Sequence, residues 1–123
     1  MRLSIHHVQL AMPAGDEDRA RDFYGRVLGM VEVAKPPELA GRGGVWFRAG
    51  DLELHLGVEP DFAPARKAHP GILTHDLDGM RTRLESAGHP VETDGLLPGF
   101  RRFYTTDAFG NRLEFLQPTS EEG

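Results

Sequence analysis

Hydrophobic and polar positions follow two different periods along this chain, and the two periods occur in the same order twice. Residues 3–12 alternate with a period of two, which predicts a β-strand. The next apolar residues recur at helical spacing and predict the buried stripe of an amphipathic helix, formed by Ala20, Phe23, Tyr24, Val27 and Leu28. Three shorter apolar runs predict further strands, at residues 30–34, 45–48 and 52–58. Residues 35–44 are rich in Pro and Gly and predict a loop.

The second half repeats this order. Residues 69–75 predict a strand, and a second helical stripe follows it, made of Leu77, Met80, Leu84 and Ala87. Three more strands are predicted at residues 91–93, 100–106 and 112–117. Each half therefore reads strand, helix, strand, strand, strand.

Spacing between similar residues also indicates an internal repeat. His7 and His69 are 62 residues apart, Glu53 and Glu114 are 61 apart, and the helix-ending Gly29 and Gly88 are 59 apart. This predicts a module over residues 1–59 and a second over 68–118, joined by a linker at 60–67. Modules of this size bury too little surface to stand alone, so we expect a single α+β domain over residues 1–123.

Composition excludes several classes of protein. The 123 residues contain no Cys, which excludes disulfides and thiolate metal sites. The net charge of −5 argues against nucleic-acid binding, which usually needs a basic face. No apolar run reaches the roughly 20 residues that span a bilayer, and no signal-type segment follows Met1. We therefore expect a cytoplasmic protein without a membrane partner.

Four residues at repeated positions suggest a metal centre. Each predicted module has a His at its first strand, His7 or His69, and a carboxylate in its last strand, Glu53 or Glu114. A carboxylate on a half-buried strand needs a partner. If the repeat brings the four together, two imidazoles and carboxylates without thiolate suit Fe, Mn, Co, Ni or Zn better than Mg. His55 shares a strand face with Glu53, so either could be the fourth ligand, or His55 could be a general base.

Candidate substrate contacts are less specific. Arg101 and Arg102, with Tyr104 nearby, could bind an anionic group or form a solvated edge. Alternation along a strand allows only one of the two arginines to point inward. Trp46 either packs in the core or lines a cavity.

Four stretches resemble the vicinal oxygen chelate superfamily, which includes glyoxalase I, fosfomycin-resistance transferases, bleomycin-binding proteins and extradiol dioxygenases. They are His7-Val-Gln-Leu-Ala-Met-Pro13, Phe23-Tyr-Gly-Arg-Val-Leu-Gly29, Asp76-Leu-Asp78 and Asp107-Ala-Phe-Gly-Asn-Arg-Leu-Glu-Phe115. The resemblance spans about residues 3–118. It implies paired βαβββ modules that form a curved mixed sheet around a cavity, and a homodimer.

The resemblance also implies a ligand set and a chemistry. Its ligand positions fall on His7, Glu53, His69 and Glu114, of which some members use only three, His7, His69 and Glu114. The leading hypothesis is a metal-dependent isomerase, lyase or thiol transferase, in which a divalent ion acts as Lewis acid on a small oxygen-chelating substrate. Glu53, Glu114 or His55 would then move the proton. The alternatives are sequestration of a small molecule or antibiotic without turnover, and an Fe(II) extradiol-type dioxygenase.

Overall fold

A computed structural model describes residues 1–119 of the chain. The chain divides into two compact units, Met1–Pro64 and a second that begins at Ala65. These are called the first and second modules below, and each is described by itself.

The first module consists of one four-stranded mixed sheet and its helices. Its elements are β1 (Val8–Met12), α1 (Glu17–Ala20) continued by a π-helix (Arg21–Val27), β2 (Val31–Val33), α2 (Pro37–Ala40), β3 (Val45–Ala49) and β4 (Leu52–Val58). The strand order is β1-β4-β3-β2, with β1 parallel to β4 and the other pairs antiparallel. The sheet therefore joins the first strand of the module directly to the last.

The second module has the same design. Its elements are β5 (Gly71–Leu73), α3 (Leu77–Ser86), β6 (Glu92–Thr93), β7 (Phe100–Thr106) and β8 (Arg112–Pro118). The strand order is β5-β8-β7-β6, with β5 parallel to β8. Asp76 caps α3 by accepting a hydrogen bond from Gly79 N at 2.9 Å. The predicted α+β class and the βαβββ order of each half are confirmed.

Each sheet has one buried face, as the alternation predicted. Phe47, Leu54 and Leu56 are buried in the first module, and Phe103 and Leu113 are buried in the second. In the first module Phe23 and Tyr24 of the helix are also buried. The polar side chains considered below are attached to the same strands as these core residues.

Two local predictions were wrong, and one helix differs in its hydrogen bonding. The first strand begins at Val8 rather than at residue 3, since Val8 pairs with Leu54 and β4 itself begins only at Leu52. The predicted loop at 35–44 contains α2, which Pro37 starts at a position where a missing N–H costs nothing. The first helix is present and its predicted apolar stripe is buried, but it changes to π-type hydrogen bonding, with Leu28 N bonded to Phe23 O at 2.9 Å.

No helix among residues 1–119 is long and apolar enough to cross a membrane.

Candidate functional site

His69 and Glu114, both singled out from the sequence, are in contact in the second module. His69 lies just before β5, and Glu114 lies in β8, which pairs with β5. Nε2 of His69 is 2.9 Å from Oε1 of Glu114. The Glu114 side chain is 8 % exposed, so this carboxylate is held in the protein rather than in solvent.

A second contact of His69 fixes the state of its ring. Its Nδ1 lies 2.9 Å from the carbonyl oxygen of Lys67. A carbonyl only accepts, so Nδ1 carries the hydrogen, and in a neutral ring Nε2 has the lone pair. That lone pair faces a carboxylate oxygen. The contact therefore needs a proton on one of the two atoms or a metal ion bound by both.

Arg102 holds the other oxygen of Glu114. Its Nη1 donates to Oε2 at 2.9 Å, and its Nη2 lies 3.4 Å from Asp94. The hydrogen bond to Glu114 raises the pKa of Arg102. The Leu96 N–H and then the Arg102 guanidinium lower the pKa of Asp94. Arg102 thus orients Glu114. Because it already contacts two carboxylates, it is not free to bind a substrate anion in the way that the sequence suggested.

Arg101 lies on the opposite face of β7. It donates to Asp78 of α3 at 2.6 Å, on the side of the sheet where Phe103 is buried. A cavity of about 310 Å³ has Asp78, Arg81 and Arg101 in its lining and also reaches Asp94 and Arg102. Of the two predicted arginines, only Arg102 shares a face with Glu114 and Tyr104, as strand alternation requires.

In the first module, three aromatic rings form a stack across neighbouring strands. Trp46 of β3 lies against His55 of β4 with a centroid separation of 3.9 Å and an interplanar angle of 3°. His7, just before β1, stacks on His55 at 4.3 Å and 16°. His7 also contacts its neighbour His6, with 3.0 Å between their Nδ1 atoms. His55 is 4 % exposed, so its ring plane is fixed by packing.

Glu53 contacts the same imidazole. Its Oε2 lies 2.9 Å from Nε2 of His55, and its Oε1 accepts from Arg48 at 3.2 Å. The hydrogen bond from His55, and then that from Arg48, lower the pKa of Glu53. An ionised carboxylate accepts, so Nε2 of His55 carries a hydrogen, and in a neutral ring Nδ1 then has the lone pair.

Strand register corrects the predicted equivalence of Glu53 with Glu114. Gln9 of β1 pairs with His55, and the corresponding Gly71 of β5 pairs with Glu114. On the other side, Trp46 pairs with His55 and Tyr104 pairs with Glu114. His55 therefore occupies the position of Glu114. Glu53 is two residues earlier on the same face, where the second module has Arg112.

Arg112 is a residue of the site that the sequence reasoning missed. Its guanidinium lies 4.0 Å from the ring centroid of Tyr104, which also has Arg102 at 5.3 Å and His69 edge-on at 5.4 Å. The signal was present, since Arg112 is two residues before Glu114 and must share its strand face.

The candidate ligands contact one another in pairs rather than in a larger cluster. Within residues 1–119, no three His, Cys, Asp or Glu side chains form a group that could hold an ion as they lie. The His69–Glu114 pair nevertheless fits. Two ligand atoms at metal distances of about 2.1 Å and at right angles are about 3 Å apart. The bond from His69 Nδ1 to a carbonyl is the usual outer contact of a metal-bound imidazole.

Comparison with known proteins identifies the family. A model described as the Glyoxalase/Bleomycin resistance protein/Dioxygenase superfamily matches residues 4–115. A glyoxalase family protein from Bacillus anthracis is 44 % identical with a TM-score of 0.93, covering 97 % of this chain and 98 % of that one. The antibiotic binding protein TnmS3 from Streptomyces sp. CB03234 is 26 % identical with a TM-score of 0.72, covering 96 % and 100 %.

Lactoylglutathione lyase from Agrobacterium tumefaciens is 27 % identical with a TM-score of 0.68, covering 93 % of this chain and 92 % of that one. No curated protein matches. The family model covers nearly the whole chain, and the solved structures reproduce its fold from end to end. The chain belongs to the Glyoxalase/Bleomycin resistance protein/Dioxygenase superfamily.

Proposed function

We propose that the protein is a metal-dependent enzyme of the glyoxalase type that acts on a small oxygen-chelating substrate. The observation that carries the proposal is the contact between Nε2 of His69 and Oε1 of Glu114. With the ring hydrogen on Nδ1, a neutral His69 and an ionised Glu114 would each have an electron pair available to a metal ion. A divalent ion of the Zn, Ni, Co, Mn or Fe type suits an imidazole with a carboxylate.

In the first module, the corresponding ligand candidates are His7 and His55. His55 has the strand position that Glu114 has in the second module, and its Nδ1 has the lone pair. Glu53 then orients His55 from outside, in the carboxylate–histidine arrangement common to metal sites. This assignment makes His55 rather than Glu53 the ligand candidate on β4, and gives Glu53 a positioning role.

The bound ion would supply a Lewis acid for two oxygens of the substrate. The chain's own residues prepare for it. Arg102 holds one oxygen of Glu114 and leaves the other directed at His69. Trp46 and His7 clamp the His55 ring from its two faces. These contacts fix donor atoms before any ligand arrives, which lowers the ordering cost of binding.

Elemental analysis of protein purified without a chelating column tests the proposal. The full chain is expected to hold about one divalent ion, and His69→Ala and Glu114→Gln are expected to lose it. His75→Ala, an exposed histidine of the same module, is the matched control and should retain it. Full metal content in both site variants would refute the ligand assignment.

Sequestration without turnover is the second candidate. The likeness to TnmS3, an antibiotic binding protein, favours it. It predicts that ligand binding needs no divalent ion and that His69→Ala binds the ligand normally. An Fe(II) dioxygenase is distinguished from both by oxygen uptake with catechols.

A further inference from the structure

Arg112 of β8 lies near Glu114 and over the ring of Tyr104. It lies on the same face of β8 as Glu114, two residues away. Its guanidinium carbon lies over the Tyr104 ring, 4.0 Å from the centroid, and this cation–π contact leaves the N–H donors of the group for another partner.

The other arginines near this face already have partners. Arg102 is shared between Glu114 and Asp94, and Arg101 is bonded to Asp78 on the opposite face. Within residues 1–119, no hydrogen bond or ion pair is made by the Arg112 guanidinium. Its backbone N–H, by contrast, donates to Ala65 O at 3.0 Å and is independent of the side chain.

The pairing of donors and acceptors on this face leaves the Arg112 guanidinium without a direct acceptor in the described part of the chain. Asp94 and Glu114 are both in contact with Arg102, whereas Arg112 acts on Asp94 only through its charge. The Nε of Arg102 also lacks an acceptor among residues 1–119, but it is buried and is not part of the site. An oxyanion beside the Tyr104 ring would accept from the N–H groups of the Arg112 guanidinium.

We propose that Arg112, stacked on Tyr104, binds an oxyanion of the substrate, a carboxylate or a phosphate-like group, beside Glu114. The proposal rests on the proposed function and narrows it to anionic substrates. A guanidinium matches both kinds of oxyanion with two parallel hydrogen bonds, which a lysine cannot make. Tyr104, predicted from the sequence as a substrate contact, acts here as the support of the arginine.

Metal-free full-length protein labelled with 15N tests this site separately from the metal. Methylphosphonate and acetate are the probes, and the side-chain Nε–H signal of Arg112 is followed by NMR. We expect a saturable shift with at least one probe, and weaker binding by about tenfold or more in Arg112→Gln. Arg112→Lys should recover binding only in part. Arg101→Gln is the matched control and should bind as the wild type does.

Three outcomes would overturn the proposal. They are no saturable shift with either probe, Arg112→Gln binding within twofold of wild type, or equal loss in Arg101→Gln. Tyr104→Leu provides a second variant, which keeps the guanidinium and removes its support, and it should weaken probe binding as well. If metal content fails to depend on His69 and Glu114 while the probe still binds through Arg112, the proposed function fails and the oxyanion site remains.

Discussion

Glu53 holds His55 by a 2.9 Å contact between its Oε2 and the Nε2 of the ring, although both residues are on the same strand and only two positions apart. The same carboxylate accepts from Arg48 through its other oxygen. Both of its oxygens thus have donors, whereas His55 keeps the lone pair of Nδ1. This arrangement gives the two residues different expected effects on metal binding.

Replacing Glu53 should weaken metal binding without removing a ligand. Loss of an outer carboxylate typically costs 10- to 100-fold in affinity, so we expect a decrease of about that size in Glu53→Gln. His55→Ala should cost more, because it removes the donor atom itself. Titration of metal-free protein with Co(II), followed by its absorption spectrum, measures both. A larger loss in Glu53→Gln than in His55→Ala would restore Glu53 as the ligand.

A contact between Glu17 and the loop before β3 should make stability depend on pH. Gly44 N donates to Oε2 of Glu17 at 2.8 Å, and this bond lowers the pKa of Glu17 below 4.5. Since the folded-state pKa is the lower one, the contribution is fully present above pH 4.5 and is lost as the pH falls through the folded-state value.

Urea unfolding of Glu17→Gln beside the wild type checks this at about pH 6 and about pH 3. The free-energy difference between the two proteins should be larger at the higher pH. Glu38→Gln, an exposed carboxylate in α2, is the control and should show no such change. An equal difference at both pH values would contradict the assignment to Glu17.

Gly44 should also be intolerant of a side chain. Its φ is +85°, and an added Cβ would overlap the carbonyl oxygen of Leu56. We expect Gly44→Ala to lower the free energy of unfolding by roughly 2–4 kcal/mol. Gly41 has φ −75° and open space around it, so Gly41→Ala should be neutral or stabilising by up to about 1 kcal/mol. Denaturant unfolding of the two alanine variants gives the comparison, and similar values would refute it.

The turn before β8 should depend on Asp107. This buried carboxylate accepts from Phe109 N and Asn111 N at 2.9 Å and from Asn111 Nδ2 at 3.0 Å. Asp107→Ala leaves these donors unsatisfied, and we expect a loss of roughly 2–4 kcal/mol in the free energy of unfolding. Asp107→Asn keeps one acceptor oxygen and should lose less. Calorimetric melting would measure both, and equal losses would argue against the hydrogen bonds as the cause.

Much of the fold was predictable because the apolar side chains of each sheet are buried on one face. Apolar and polar residues therefore alternate along the strands with a period of two. Strand ends were less predictable. Leu3 and Ile5 alternate like strand residues, but they lie before the strand and are 88 % and 80 % exposed. Alternation alone does not show whether a neighbouring strand extends far enough to pair with them. The change to a π-helix after Ala20 was also invisible, because the apolar stripe suits either helix.

The candidate site was predictable as far as strand faces determine it. His69 and Glu114 were named from the sequence, and the structure places them in contact. Glu53 and His55 could not be ranked, because residues two apart share a face and only the hydrogen-bond register shows which one matches Glu114. Arg112 was overlooked because its importance depends on which arginines already have partners, and that is a property of the folded chain.

The correspondence of Glu53 with Arg112 bears on how the two modules diverged. If they descend from a duplicated gene, an acid in one copy has come to stand where the other has a base, while the backbone pairing around them stayed the same. An alignment of the two halves by residue type places Glu53 on Glu114. This alignment is shifted by two residues from the one that the strand pairing gives, in which His55 corresponds to Glu114. Strand pairing, rather than residue type, therefore gives the correct alignment of the two halves. In that alignment an acidic residue of one half corresponds to a basic residue of the other.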